Sequence, residues 1–455
     1  MKDRSAVIWT RLGPQPVKMG TLAVTDIECR FTYDEGYTDT GLRGLGLVYA
    51  PEFFTSTIVR ERNEYFDLMP PLQALVPPRS EHNFQRALVL KYLKQINLDT
   101  QPGFDTDWNI LIRSGHGAIG HLDVFESDEI AIQWYATPSK KGLIELDDEF
   151  GFSLKEFMAW FDDDAGILID LLGPTPTVGG AIPKLMLSIA QSGWDGRIGL
   201  PTRFGDTDRT DIILKLENNA QYPGIIELEQ LGLEVHREAG FDVPRYWPVK
   251  IKGLAALAIE RFDRTRTGGT VFMESVYSVL ASGSNEITNH YSTSYDHIAS
   301  AIDNPYVGLV NDRAKAKHHL LERLLLAMLT GNGDLHLENL SFLEKNNETA
   351  FSPVYDPTPM RAYSIHNELT PPGMSFGHYG DMNDDGSFID FSTALLHFSK
   401  NLGITRSILF DSIERLVKVT DDYDKRIEAL SALPKENKLN LINIHLDIKN
   451  KLVSL

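Results

Sequence analysis

The chain has a single cysteine, Cys29, among 455 residues. That excludes an intramolecular disulfide framework and suits a reducing cytoplasm. It has no apolar run of the roughly 18 residues that a membrane-spanning helix needs. Its N-terminal MKDRSAVIWTRLGPQP carries charges without an apolar stretch of signal-peptide length. The expectation is a soluble cytoplasmic protein with no membrane partner. A basic surplus is missing as well, because the formal net charge is −19. A chain that binds nucleic acid unaided needs Lys and Arg to neutralise phosphates, so DNA is expected only indirectly, through a basic partner. No internal repeat or low-complexity tract is present, which removes solenoid and array folds. GxxxxGK[ST] is absent, so the simple NTPase phosphate loop has no support. The acidic run Asp162, Asp163, Asp164 reads as solvated surface.

What remains is an ordinary globular composition, 42% hydrophobic and 24% charged, on a length that suits two or three domains. The first fifty residues alternate short apolar segments (AVIW, TLAV, CRFTY) with Gly and Pro turns and read as a small β-rich unit. From about Thr57 to Leu98 the spacing turns helical, most clearly in NFQRALVLKYLKQ. Strand-like segments return at HLDVF, IAIQWYA, PKLMLSIA, DIILKLE and LAALAIERF. After about Gly283 they nearly cease, and RAKAKHHLLERLLLAMLT, STALLHFSKNLG and RSILFDSIERLVKV carry helical spacing. Strands first and helices second predict an α+β, bilobed protein, divided as 1–135, 136–270 and 271–455. A cleft between lobes is a natural ligand site.

The most informative stretch is GNGDLHLENLSFL, residues 331–343. It follows a long apolar helix ending near Thr330, and Gly331 and Gly333 force a turn that presents Asp334, His336 and Asn339 at the end of a rigid element. Asp334 and Asn339 stand five residues apart, the spacing of base and metal ligand in protein-kinase catalytic loops. An Asp there accepts the proton of the attacking hydroxyl, and a neutral Asn holds magnesium without adding negative charge beside the phosphates. Asp356 follows the strand-like SFL and FSPVY, where a hairpin would return a second magnesium ligand. Upstream, TPTVGGAIPKLMLSIA offers a flexible turn at Gly179 and Gly180 before a strand. DIILKLE places Lys215 among apolar neighbours, which requires a partner for the ammonium. Glu229 at the start of a helical pattern is that candidate, with Glu227 its rival on another helix face. An equally plain reading of Lys215 is a strand lysine snorkelling to water. LAALAIERFDR reads as a last strand entering an inter-lobe connection, where Glu260, Phe262 and Asp263 could meet adenine and ribose.

The ordered set TVGGAIPKLML, DIILKLE, ERFDR, GDLHLEN and VYD resembles the HipA family of bacterial serine/threonine kinases, the toxin halves of toxin–antitoxin pairs. VIWTRLGPQPVKMGTLAV and PGFDTDWNILIRSGHGAIGHLDVF extend the resemblance forward, so that it spans about Ala6 to Met360. It implies a kinase-like bilobed fold: an N-terminal HipA-type subdomain over 1–135, a kinase N-lobe over 136–270 and a helical C-lobe over 271–455. It implies ATP and Mg2+ as cofactors, with Asp334 as catalytic base, Asn339 and Asp356 on the metal, and His336 on the nucleotide side. Lys215 would hold the α- and β-phosphates beside Thr177, Val178, Gly179, Gly180, Lys184 and Glu229. Glu260, Phe262 and Asp263 would line the adenine and ribose pocket. The family's autophosphorylated serine is replaced here by Thr177, with Thr175 two residues before it.

The resemblance also implies a protein substrate, such as an aminoacyl-tRNA synthetase or translation factor, and a separate helix-turn-helix antitoxin. Relatives usually carry Lys where Glu338 stands, and of the family's ED-plus-Gln pattern only Glu274 survives, with Ser275 and Ser278 elsewhere in it. The alternatives are a small-molecule or lipid kinase on the same fold, and a partner-dependent transcriptional regulator that retains ATP binding. Gly41, Gly44 and Gly46 read as a turn between strands, and His318 and His319 as helix packing without acidic partners at metal spacing.

Overall fold

The alternation in the first fifty residues is realised as an antiparallel sheet. A computed structural model of the chain describes residues 3–54, 56–80, 83–137, 142–145, 184–217, 221–251, 253–383 and 385–455. Strands β1 (Arg4–Thr10), β2 (Val17–Val24), β3 (Glu28–Tyr33), β4 (Ile58–Glu61) and β5 (Leu122–Phe125) pair in the order β4-β3-β2-β1-β5. Ala6 lies opposite Leu22, and Leu22 opposite Phe31, so each strand contributes an inward apolar residue at the same level. Helices α1 (Pro70–Gln73), α2 (Phe84–Gln95) and α3 (Phe104–Ser114) connect β4 to β5, and α4 (Asp128–Ala136) follows.

The short strands β6 (Ile144–Glu145) and β8 (Arg197–Ile198) pair with each other. A second antiparallel sheet has the order β10-β11-β9-β7, from β7 (Lys184–Ala190), β9 (Arg209–Leu216), β10 (Tyr246–Ile251) and β11 (Leu254–Glu260). One face of it, with Leu185, Leu187, Ile212, Leu214, Ala256 and Ala258, merges with Ile8, Leu22 and Phe31 in one hydrophobic core. The chain divides into two compact units, and these elements belong to the first, Met1–Glu217 with Arg245–Glu274.

The second unit comprises Asn218–Pro244 and Ser275–Leu455. After the short β12 (Met273–Ser275), its strands are the hairpin β13 (Ser341–Lys345) and β14 (Glu348–Phe351). Its helices are α5 (Ile225–Glu238), α6 (Val276–Gly283), α7 (Tyr295–Ile302), α8 (Arg313–Thr330), α9 (Phe391–Asn401), α10 (Arg406–Val419), α11 (Tyr423–Ala429) and α12 (Lys435–Val453). Helix α8 is the unit's axis. Asp312 caps its first turn by accepting from the Lys315 amide at 2.9 Å, and Leu320, Leu321, Leu324 and Leu325 are fully buried along it. No helix among the described residues is long and apolar enough to cross a membrane.

Two segments depart from expectation. IAIQWYA forms helix α4, not a strand. Ser127 caps it by accepting from the Ile130 amide, and Asp128 and Glu129 occupy its first turn, where the helix dipole favours acids. Trp134 and Tyr135 then pack on Phe125, while Ile130 and Ile132, which alternation would have buried, are exposed. The helical spacing expected from about Thr57 begins later, because Ile58–Glu61 is the edge strand beside β3.

The first unit also buries an ionic network. The Arg11 guanidinium donates to Asp123 at 2.9 Å, and Asp123 further accepts from the Gly117 amide at 2.7 Å and the Tyr135 hydroxyl at 2.8 Å. Asp263 accepts from Arg261 at 2.7 Å, Arg264 at 2.8 Å and the Gly120 amide at 2.8 Å. Burial pushes the Asp263 carboxyl up, but Arg261 and Arg264 overcome it and hold the acid well below its usual range. A depressed carboxyl contributes stability that is complete above its unfolded pKa and is lost as the pH falls through the folded value. Asp263→Asn leaves two buried guanidiniums facing a neutral amide and is expected to destabilise the fold by about 3–5 kcal/mol. Urea denaturation at neutral pH measures it, and a loss below about 1 kcal/mol would show the network to be dispensable. Cys29 is buried, and burial lifts its thiol to about 12, so it is an inert core residue.

Candidate functional site

The turn that carries Asp334 is held from both sides. Gly331 ends α8 in the left-handed region at φ +74°, its amide donating to Met328 C=O at 3.2 Å and the Asn332 amide to Ala327 C=O at 2.8 Å. The last carbonyls of α8 also find partners: Tyr423 Oη donates to Thr330 C=O at 3.0 Å, and His445 Nδ1 lies 2.9 Å from Leu329 C=O. A side chain at Gly331 would start 2.5 Å from Leu441 Cδ1, and one at Gly333 would start 2.7 Å from Glu368 C=O. Glycine is therefore required at Gly333 by the backbone of Glu368 and at Gly331 by conformation.

The loop closes on itself. Asn339 Nδ2 donates to the Asp334 carbonyl at 2.7 Å, and the Asp334 amide donates to Asn332 Oδ1 at 3.0 Å. Both contacts use the Asp334 backbone, and its side chain is about one-third exposed. His336 is buried, with Nε2 3.9 Å from Asp334 Oδ2. It sits in a box of His290, at 4.6 Å between ring centres, and Tyr291, at 5.4 Å. Burial holds the His290 imidazole down at about 4, so it is neutral at physiological pH. Its Nδ1 lies 4.0 Å from Glu338 Oε2, so the carboxylate that replaces the family's usual lysine faces an uncharged ring.

The hairpin returns Asp356 as the spacing suggested. Ser352 donates its amide to Ser341 C=O at 2.8 Å, and Tyr355 Oη donates to Glu338 C=O at 2.6 Å. The neighbour of one expected metal ligand is thus tied to the neighbour of the other. Asp356 has φ +48°, a conformation that non-glycine residues adopt at turns and sites where the surroundings impose it. No cluster of three His, Cys, Asp or Glu side chains among the described residues has metal-binding geometry. An Asn–Asp pair nevertheless fits magnesium, which keeps waters and takes one or two protein oxygens alongside phosphates.

In the first unit, strand register sets Lys184 directly opposite Lys215, both buried, with Leu257 on Lys215's other side. The two lysines therefore stand side by side on one face of the sheet. Glu260 forms a bidentate pair with Arg245 at 2.6 and 2.8 Å, and Phe262 is half-buried. Asp263 is committed to the interior network described above, so its placement on a ribose rests on the resemblance alone. Glu274 is buried and accepts from the Leu47 amide at 2.7 Å, and a side chain at Gly46 would start 2.8 Å from its carboxylate. The turn at Gly44 and Gly46 therefore packs on the one surviving residue of that family pattern.

Glu229 lies on α5 in the second unit, fully buried, whereas Glu227 accepts from the Ala432 amide at 2.8 Å near the surface. The two acids do point to different faces, and the buried one is Glu229. Thr175, Thr177, Val178, Gly179 and Gly180 lie outside the described residues. His318 has an acidic partner after all: Glu322 stands 3.3 Å away, one turn on, and Ser412 Oγ 2.9 Å away. His319 stacks on Phe351. Tyr295, whose Oη donates to Leu335 C=O at 2.7 Å, Tyr355 and the caps Tyr423 and His445 were not foreseen. Only Tyr355 had a sequence signal, its place beside Asp356 in VYD.

The family model of the HipA-like C-terminal domain matches residues 177–423, more than half of the chain. The chain belongs to the HipA-like family, and its fold is α+β, as the order of strands and helices suggested. A Haemophilus influenzae protein named "Putative kinase" is 24% identical over 280 residues, covering 56% of this chain and 74% of that one. "Putative kinase Y4dM" of Sinorhizobium fredii is 31% identical over 157 residues, covering 32% of this chain and 36% of that one. The HipA of Shewanella oneidensis MR-1, solved with HipB and its operator DNA, shares the fold. Its TM-score is 0.65 at 16% identity, over 98% of this chain and 97% of that one.

Proposed function

We propose that this chain is an ATP- and magnesium-dependent serine/threonine protein kinase of HipA type. It acts in the cytoplasm on a protein such as an aminoacyl-tRNA synthetase or translation factor, and on itself, in toxin-like control of growth. The observation that carries this reading is the loop in which Asn339 closes onto the Asp334 carbonyl while the Asp334 carboxylate stays accessible and Tyr355 ties Asp356 alongside. A binding module has no use for a base and two metal ligands in that arrangement. The relatives' names support the kinase class. In this reading Lys184 and Lys215 hold the ATP phosphates, and Asn339 and Asp356 hold magnesium.

The partner is a separate helix-turn-helix protein that brings the complex to DNA. A net charge of −19 disfavours direct binding by this chain and favours a basic companion. Purified chain incubated with γ-labelled ATP and a cell extract is expected to label itself at Thr177 or Thr175 and to label one extract protein, only with magnesium present. Phosphate on a threonine before the glycines places close to two negative charges beside ATP's own, so labelled chain is expected to bind ATP more weakly. Label in the lipid or small-molecule fraction selects the small-molecule kinase, and ATP binding without any label selects the regulator.

A further inference from the structure

Helix α12 lies beyond residue 423, where the match to the family model ends, yet it packs against the turn that carries Asp334. Asn437, Asn440, Leu441, Ile444 and His445 stand at positions i, i+3, i+4, i+7 and i+8, which share one face of a helix. Two of them meet the turn directly. A side chain at Gly331 would start 2.5 Å from Leu441 Cδ1 and 3.7 Å from Ile444 Cγ2. His445 Nδ1 lies 2.9 Å from Leu329 C=O at the end of α8. The asparagines reach a second turn, Met360–Ala362. Asn440 Nδ2 donates to Arg361 C=O at 2.7 Å, and Asn437 Nδ2 donates to Ala362 C=O at 3.0 Å.

That second turn is joined to the first. It begins four residues after Asp356, and the Arg361 amide donates to Gly331 C=O at 3.0 Å. The Arg361 stem occupies the space that a side chain at Gly333 would take, with Cγ 2.9 Å and Cδ 3.2 Å from where its Cβ would lie. Gly333 is the residue before Asp334. Arg361 therefore connects the segment leaving Asp356 to the segment entering Asp334, and α12 holds Arg361 by its carbonyl. Burial lowers the Arg361 guanidinium from its usual value, and Asp447, also on α12, leads the groups that oppose this. On the other side of the loop the matching joint is the Tyr355 bond to the Glu338 carbonyl. The segments bearing Asp334 and Asp356 are thus joined twice, and α12 braces one of the two joints.

We propose that Asn440 and Asn437 are positioning residues for phosphoryl transfer, which fix the Asp334 carboxylate relative to Asp356 by anchoring the Met360–Ala362 turn. The inference rests on the kinase reading of Asp334 and Asp356. Misplacing a reacting group by about 1 Å costs roughly 100-fold in rate, even when the cause lies away from the chemistry. Asn440→Asp keeps the side chain's size but sets an acceptor against the Arg361 carbonyl. It is expected to lower the rate at saturating ATP roughly 10- to 100-fold, with the half-saturating ATP concentration unchanged. Asn437→Asp, which loses the longer bond, is expected to show a smaller loss in the same direction. Asn443→Asp makes the same chemical change at an exposed position of α12 and is expected to keep the wild-type rate.

The test is self-labelling of the four full-length proteins with γ-labelled ATP and magnesium over a range of ATP concentrations. It is run at a temperature where circular dichroism shows each protein folded. A fall in the maximal rate of Asn440→Asp without a change in half-saturation is the expected result, because a role in stability alone leaves the rate of the folded protein untouched. Wild-type kinetics in Asn440→Asp overturn the inference and leave the kinase reading intact. A rise in half-saturating ATP, or an equal loss in Asn443→Asp, also overturns it, since the effect is then on nucleotide binding or on charge. If Asn440→Asp does not fold, Asn437→Asp decides by the same criteria, and if neither folds the asparagines serve the fold and the inference is wrong. If the wild type carries no label, the kinase reading itself fails and takes this inference with it.

Discussion

Asp334→Asn is expected to lower phosphoryl transfer roughly 10²- to 10⁴-fold while leaving ATP binding in place. The side-chain volume is kept and one oxygen remains, but an amide cannot accept the proton of the attacking hydroxyl. The surrounding structure makes the substitution clean. Asn339 and Asn332 hold residue 334 by its carbonyl and amide, and neither bond uses the carboxylate. His336 Nε2, 3.9 Å from Asp334 Oδ2, is itself fixed among His290 and Tyr291. Those two backbone bonds are expected to persist in the variant. Labelled transfer measured beside nucleotide affinity separates the two effects. A variant that transfers phosphate at near wild-type rate would remove Asp334 as the base.

The sequence made the second unit's central device readable because it is local. A long apolar helix, two glycines, an Asp–Asn spacing and a hairpin ending in Asp are all encoded within a few dozen residues, and each has one cheap conformation. Helix α8 ends at Thr330, the residue that precedes the GNG turn, because Gly331 supplies the left-handed cap. What was not readable is contributed from far along the chain. Tyr423 and His445 cap α8 from about a hundred residues away, and Tyr295 braces Leu335 from 40 residues upstream. Arg323 is buried within α8, covered by neighbours that helical periodicity does not name.

Helix α4 shows the opposite failure. IAIQ alternates like a strand, yet Ser127 and two acids start a helix, and the aromatic cluster of Phe125, Trp134 and Tyr135 fixes it. Local alternation over four residues is weaker evidence than a cap plus tertiary packing. In the first unit, the like-charged pair Lys184 and Lys215 emerges only from strand register, which no spacing within either segment specifies.

Asp356→Ala is expected to abolish the magnesium-dependent tightening of ATP binding. Magnesium takes its ligands in a strict octahedron and relies on few protein oxygens, so losing an ionised one leaves only the neutral Asn339 and the phosphates. The backbone adds a second contribution. Asp356 holds φ +48°, where alanine is strained by roughly 1–2 kcal/mol and asparagine is tolerated. Asp356→Asn separates the contributions, because it keeps the conformation and an oxygen but removes the charge. Magnesium tightening is expected to be weakened in Asp356→Asn and absent in Asp356→Ala. Tyr355 still donates to Glu338 C=O in both variants, so the hairpin stays anchored to the loop and the change reads out at the metal. Calorimetric titration of ATP with and without magnesium gives the answer directly. If Asp356→Ala gains as much affinity from magnesium as the wild type, Asp356 is not a metal ligand, and its left-handed backbone must serve the turn alone.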